Sequence, residues 1–236
     1  LTVDVYRDFS HWQMRFASED DGDGHISAGE VVMPLTRAGN ARKRGTLVRF
    51  LPDDRIFDTI DFQYETVRRR IQELAYLNKG IRFILTDERR KEADDRQVVY
   101  CYEGGIADYV RFLNSDKTPM HAEPITLEGV QNDIRVYMAL QYTDSYTESF
   151  FSYVNNIPTA EGGTHEQGAK SAMTRVMNEY ARRIGALKDK DPNLNGEDFR
   201  EGLTCVLLAM VRNPQFEGQT KGRRSEERRV GKECRS

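Results

Sequence analysis

Five apolar side chains at every second position, Ile134, Val136, Met138, Leu140 and Tyr142, commit the middle of the chain to a β-sheet. Successive side chains of a strand point to opposite faces, so this spacing aims all five at one face, and that face must be buried. The sequence must therefore also supply a covering layer. A helix expected to begin after Gly162-Gly163 is one source. Thr164 and Gln167 form a T-x-x-Q pattern, read as a capping box that satisfies free backbone N–H groups at the helix start. Ala169, Ala172, Met173, Val176, Tyr180 and Ile184 fall at helical spacing and are expected to be its buried stripe, with Gly185 as its stop.

The same reasoning extends along the chain. Leu1, Val3 and Val5 alternate with Thr2, Asp4 and Tyr6, and Trp12, Met14 and Phe16 repeat the pattern, so both stretches read as strands. Thr46 to Leu51 reads as a further strand, stopped by Pro52. Asp61 to Asn78 reads as a helix with Asp61 as N-cap, a stripe of Val67, Ile71, Leu74 and Ala75, and Gly80 as its left-handed stop. Ile81 to Leu85 and Val98 to Tyr102 read as strands about a charged loop. Ile106, Tyr109, Val110 and Leu113 mark a short helix. Phe150 to Val154 and Thr204 to Val211 complete the strands, with a short helix near Glu197 to Gly202 and a turn at Asn213-Pro214. The sum is an α+β protein with mixed strands and few long helices.

Composition narrows the class. With 38% hydrophobic and 31% charged residues, the chain can build a real core. No apolar run approaches the roughly 20 residues that span a bilayer, so no membrane is expected. Cys101, Cys205 and Cys234 lack metal-ligand spacing and read as reduced thiols of a cytoplasmic protein. The net charge of -3 does not announce a nucleic-acid binder, although a local basic face is compatible with it. Leu1 in place of Met points to a missing start. Residues 224–236 carry no apolar periodicity and resemble the in-frame translation of a sequencing adapter, so they are expected to be an artefactual tail.

One motif invites a different function. Glu19, Asp21, Asp23, Gly24, Ile26 and Glu30 occupy the positions of a calcium-binding loop, which needs oxygen ligands and a closing bidentate Glu. An EF-hand also needs a helix on each side. Here the preceding residues alternate like a strand, and Pro34 interrupts the residues after the loop. An acidic hairpin tip is the preferred reading, and a calcium-binding module is kept as an alternative function.

Three stretches carry a family resemblance. They are Gln141-Tyr142-Thr143-Asp144-Ser145-Tyr146 with Ser152-Tyr153-Val154-Asn155-Asn156-Ile157, Glu161-Gly162-Gly163-Thr164-His165-Glu166-Gln167-Gly168, and Gly202-Leu203-Thr204 leading to Gln215-Phe216-Glu217-Gly218-Gln219-Thr220-Lys221. Leu77-Asn78-Lys79-Gly80-Ile81 and Tyr102-Glu103-Gly104-Gly105 fit the same pattern. Together they resemble the ATPase subunits of bacterial type II topoisomerases, the DNA gyrase B type and its topoisomerase IV relative, over nearly all of residues 1–223. The resemblance implies residues 1–52 as the end of a GHKL-type ATPase domain. Residues 53–223 would be a transducer domain with a left-handed β-α-β crossover.

The resemblance also implies a nucleotide site. Lys221 matches a lysine that reaches the ATP γ-phosphate, and Gln219 matches its companion near the same phosphate and the attacking water. Thr46 matches a strand threonine beside adenine, and Arg7 an arginine at the mouth of the pocket. The implied cofactors are ATP and Mg²⁺, with the metal ligands outside this chain. The implied partners are double-stranded DNA, the gyrase A subunit and a second B-type protomer in a homodimer. Taken without the family, these residues are ordinary: Gln219 and Lys221 are loop residues, Thr46 a β-branched strand residue, Arg7 a solvated strand end. His165 is read as structural, capping or packing the junction after the two glycines. Arg68 to Arg70 read either as a solvated helix face or as lining for a cavity that holds duplex DNA. A mismatch-repair ATPase or a chaperone with the GHKL plan is the rival of nearest kind, distinguished by the Glu-Gly-Gly-Thr-His run.

Overall fold

Three two-residue turns fold neighbouring strands back on each other. At Asp8-Phe9, Asn132-Asp133 and Asn155-Asn156 both residues have positive φ, between 50° and 65°, as type I′ hairpin turns require. Asn and Asp tolerate that left-handed region better than other residues with a Cβ. In this computed structural model residues 1–20, 22, 23, 25–27, 29–90, 96–188 and 190–225 are described. They form two units, one of Leu1–Gln63 and one from Tyr64 onwards, dividing past the boundary expected at residue 52.

The first unit is a four-stranded antiparallel sheet of β1 (Thr2–Arg7), β2 (Ser10–Ala17), β3 (Glu30–Asn40) and β4 (Gly45–Arg49), in the order β3-β2-β1-β4. β1, β2 and β4 follow the sequence reading. β3 was not anticipated, because Pro34 was read as an interruption. It is an edge strand with register shifts against β2, and an edge is where a strand tolerates a residue that cannot donate to the ladder. Residues 50–63 remain with this sheet: the Ser18 hydroxyl donates to Asp53, and Phe62 meets Phe50 edge-on at 5.9 Å.

The second unit is built on a five-stranded sheet of β7 (Ile125–Gln131), β8 (Ile134–Tyr142), β9 (Ser149–Val154), β10 (Ile157–Pro158) and β11 (Leu203–Met210), ordered β10-β9-β11-β8-β7. β9 and β11 run parallel, joined through the helices between them, and the other pairs are antiparallel. A separate hairpin pairs β5 (Phe83–Thr86) with β6 (Gln97–Tyr100).

Helices cover both faces of the larger sheet. α1 (Tyr64–Leu77) and α2 (Ile106–Leu113) bring Tyr76, Leu77, Tyr109 and Val110 against Ala139, Tyr153, Val206 and Leu208. On the other face Met173 of α3 (Thr164–Arg183) packs on Leu140, Leu203 and Cys205. All residues of β11 except Met210 are buried. A strand covered on both sides reads as an unbroken apolar run, which is what Cys205 to Met210 presents. The buried Cys205 thiol is pushed up to about 12 by desolvation.

Four sequence expectations need correction. α1 starts at Tyr64 rather than directly after Asp61. Thr164 is already helical, the N-cap is Gly163, and no side chain caps it, so the T-x-x-Q box does not form. Ala172, Val176 and Tyr180 of α3 and its C-cap Ile184 are exposed, while Asn178 is buried. The helix is turned because the Asn178 amide is committed to Leu194, accepting from its N–H at 2.9 Å and donating to its carbonyl at 3.0 Å. A capping box does exist at α4 (Gly196–Arg200), between Asn195 and Asp198. β7, exposed throughout at the sheet edge, was not anticipated either.

Candidate functional site

The chain leaving β11 turns into a hairpin that carries Gln219 and Lys221. Phe216 roots it by packing near Val154, Ala209 and Val211. The Glu217 N–H donates to the Arg223 carbonyl at 3.1 Å, and the Ser225 N–H to the Gln215 carbonyl at 3.1 Å. At the tip the Lys221 N–H donates to the Gly218 carbonyl at 3.0 Å. Lys221 itself sits at φ +56°, a left-handed step at the end of the turn that reverses the chain. The side chains of Gln219 and Lys221 are exposed. Among the described residues no carboxylate pairs with the Lys221 ammonium.

This hairpin hangs on a strap, residues 159–164, that leads into α3. The Glu161 N–H donates to the Gly222 carbonyl at 2.9 Å, directly after Lys221. The Arg224 N–H donates to the Gly162 carbonyl at 3.2 Å. Gly163 has to be glycine: its φ is +145°, and a Cβ there would lie 2.5 Å from the Arg224 carbonyl oxygen. The Gly-Gly pair read as a simple chain break therefore also allows two backbones to touch.

The strap is pinned from beneath by a buried polar chain. Thr159, 2% exposed, donates its hydroxyl proton to the Ser152 carbonyl at 2.9 Å. The Ser152 hydroxyl donates to Glu166 at 2.7 Å. His165 Nε2 lies 3.0 Å from the Thr159 hydroxyl. Burial, reinforced by the nearby Arg224 cation and opposed by Glu166, pulls His165 down to about 4. Beyond it, Lys170 bridges Glu166 at 2.9 Å and Glu148 at 2.8 Å, and Arg200 binds Glu148 at 3.0 Å. Burial alone would raise Glu148, but its hydrogen bonds to Lys170 and Arg200 outweigh that and lower it. None of Ser152, Thr159, Glu166 or Lys170 was singled out from sequence. Ser152 and Glu166 lie within the motif stretches and Thr159 and Lys170 just outside them, and only the fold shows that they are linked.

The motifs that carry the resemblance converge here. The Thr143 hydroxyl donates to the Gly202 carbonyl at 3.1 Å. Gly202, at φ +70°, leaves no space for a Cβ, which would lie 2.6 Å from the carbonyl oxygens of Thr143 and Ser145. Gln141, 1% exposed, accepts from Asn114 at 3.0 Å and donates to the His121 carbonyl at 2.8 Å.

Thr46 and Arg7 belong to the first unit. Thr46 pairs with Val5 across β1 and β4, and Arg7 lies two residues after Val5, so both share one face of that sheet. Both are exposed, and Arg7 contacts Asp8 at 3.3 Å. The Arg68 to Arg70 run is partly committed elsewhere. Arg68 binds Glu65 and the Tyr100 hydroxyl, and Arg70 binds Glu73 and the Asn156 carbonyl, which leaves Arg69 as the exposed one.

The acidic stretch of the first unit connects strands β2 and β3 and has no helix on either side. The Ser27 N–H donates to the Glu19 carbonyl, and Asp20 lies opposite Ile26. Asp21 and Gly24 of the calcium pattern lie outside the described residues. Among the described residues no group of three or more His, Cys, Asp or Glu is placed to hold a metal ion, and no helix is long and apolar enough to cross a membrane.

The chain is similar to several known proteins. A family model described as DNA gyrase B matches residues 105–228. The chain is 46% identical over 205 residues to the DNA gyrase B protein of Clostridium acetobutylicum, covering 84% of the chain and 32% of that protein. It is 45% identical over 226 residues to the DNA topoisomerase 4 B protein of Enterococcus faecalis, covering 94% and 31%. The chain thus spans about a third of the length of these relatives. The 43K ATPase domain of Thermus thermophilus gyrase B, solved in complex with an aminocoumarin, superimposes with TM-score 0.72 at 32% identity, over 95% of the chain and 57% of that structure.

Proposed function

Because the chain belongs to the DNA gyrase B family, we propose that it is part of the ATP-hydrolysing subunit of a bacterial type II DNA topoisomerase. In that reading it couples ATP binding and hydrolysis to DNA strand passage and supercoiling. Residues 1–52 are the end of a GHKL ATPase domain, residues 53–223 the transducer, and residues 224–236 a foreign tail whose first two residues, Arg224 and Ser225, pair with the strap and the hairpin. The partners are double-stranded DNA, the gyrase A subunit and a second B-type protomer, in the cytoplasm. Mg²⁺ belongs to the scheme through residues outside this chain.

The observation that carries the proposal is the hairpin tip. Lys221 presents an exposed ammonium, unpaired among the described residues, on a turn whose backbone is fixed at both sides. A lysine so placed fits a terminal phosphate, because a point charge with three donors neutralises charge on phosphoryl oxygens. Gln219, two residues earlier, offers a donor and an acceptor for the phosphate and for the attacking water. Thr46 and Arg7, sharing one sheet face, supply a hydroxyl for the base and a cation for the pocket mouth. ATP brings the γ-phosphate that Lys221 would bind. A contact made only to that phosphate lasts only until hydrolysis and release, so the engagement of Lys221 follows nucleotide state.

The test is reconstitution of the full-length subunit with gyrase A on relaxed circular DNA. ATP-dependent negative supercoiling supports the gyrase reading. ATP-dependent decatenation without supercoiling moves the chain to the topoisomerase IV branch, the reading favoured second by the 45% identity to a topoisomerase 4 protein. Failure of both reactions overturns the proposal.

A further inference from the structure

We propose that His165 is a positioning residue for Lys221: by holding Thr159 it fixes the strap from which the Lys221 hairpin hangs. This rests on the proposed contact of Lys221 with the γ-phosphate and adds what sets that contact's geometry.

The proton inventory gives the direction of the bond. The Ser152 hydroxyl proton goes to the Glu166 carboxylate, so Thr159 is the donor in the 2.8 Å contact between the two hydroxyls, and its single proton is shared between the Ser152 hydroxyl oxygen and the Ser152 carbonyl. The proton in the 3.0 Å contact between Thr159 and His165 must then come from Nε2. His165 is therefore the neutral tautomer with hydrogen on Nε2, acting as donor. Its Nδ1 is buried without a hydrogen-bond partner, a poor place for a second proton.

Mechanical continuity comes from the backbone. Thr159 begins a turn closed by the Gly162 N–H on its own carbonyl at 2.8 Å. Within that turn Glu161 holds Gly222, the neighbour of Lys221. Losing the His165 donor releases the Thr159 side chain on one side and leaves its hydroxyl held by Ser152 of β9 alone. The hairpin tip can then drift by the fraction of an ångström that matters for a charge placed on a phosphate. A packing role makes a different demand, since any apolar side chain of similar volume would meet it.

Four variants of the full-length subunit separate these roles: His165→Leu, His165→Gln, Thr159→Val and Lys221→Ala. Each is followed by thermal melting, ATP turnover, and affinity for ADP and for a nonhydrolysable ATP analogue. His165→Leu fills the space without a donor and is expected to lower kcat about 10- to 100-fold. ADP affinity should stay at the wild-type value, while preference for the analogue over ADP falls towards that of Lys221→Ala. Thr159→Val should reproduce this, and it carries the test if His165→Leu fails to fold. His165→Gln keeps an N–H donor and should restore turnover. Wild-type turnover in His165→Leu or Thr159→Val, with Lys221→Ala inactive, overturns the role of His165 alone. Wild-type turnover in Lys221→Ala overturns the functional reading itself.

Discussion

The two units solve the problem of burying a sheet differently. In the second, seventeen hydrophobic residues among those described, from Ala75 to Val211, are buried, and helices lie on both faces of the sheet. In the first, the only buried residue among those described is a charged one, Asp4, at 1% exposure. Its carboxylate accepts from His11 at 2.7 Å, Gln13 at 2.8 Å and Arg49 at 3.3 Å. On the other face of that sheet Trp12, Val31 and Val48 are exposed. A two-sided core stabilises the second unit, whereas hairpin turns, backbone ladders and one polar cluster hold the first. Precise placement of a functional group needs rigid support, and the Lys221 hairpin stands on the unit that has it.

Matched deletions make the largest test of this contrast. Leu207→Ala in β11, where the side chain is 1% exposed, is expected to cost about 2–5 kcal/mol. Val48→Ala in β4, 53% exposed, is expected to stay within about 0.5 kcal/mol. Denaturant unfolding of the full chain, monitored in each unit, gives both numbers. Equal effects would break the comparison.

Acid should act next most strongly, through His165. Its folded value of about 4 lies below the ordinary 6.5, so the unfolded chain takes up the proton first as pH falls. The contribution of neutral His165 is complete above pH 6.5 and is lost progressively between pH 6.5 and 4, by about 2–3 kcal/mol. His165→Gln should flatten that part of the stability profile in the second unit. A slope unchanged by the substitution would refute the linkage.

A smaller effect is expected at Asp4. Hydrogen bonding to His11 in the first place, then Gln13 and Arg49, holds its carboxyl below the usual range. The stabilisation is present above the unfolded carboxylate value near 3.8 and is lost as pH falls through the depressed folded value. Asp4→Asn should therefore lower the melting temperature of the first unit at neutral pH and converge with wild type in strong acid. A constant difference across pH would assign the effect to packing instead.

How much the sequence revealed is split along the same division. β8, β9, β11 and α2 were legible because burial on a defined face writes its period into the chain. β3 and β7 were not, since exposed edge strands carry no such constraint, and Pro34 masked the first of them. The stripe of α3 misled because Asn178, a polar residue, takes the inward position to bind Leu194. Its apolar neighbours Val176, Tyr180 and Ile184 then face outward. At the site, Gln219 and Lys221 were legible only through the family resemblance. The His165–Thr159–Ser152 chain was not, because hydrogen bonds between β9, the strap and α3 leave no periodic trace.

The most direct measurement is amide hydrogen exchange across the full chain under native conditions. Amides of β8 and β11 should exchange only through global opening of the second unit, at least about 100-fold more slowly than those of β1, β2 and β4. Protection of the first sheet equal to that of β8 and β11 would contradict the claim that the Lys221 hairpin is mounted on the self-supporting part of the molecule.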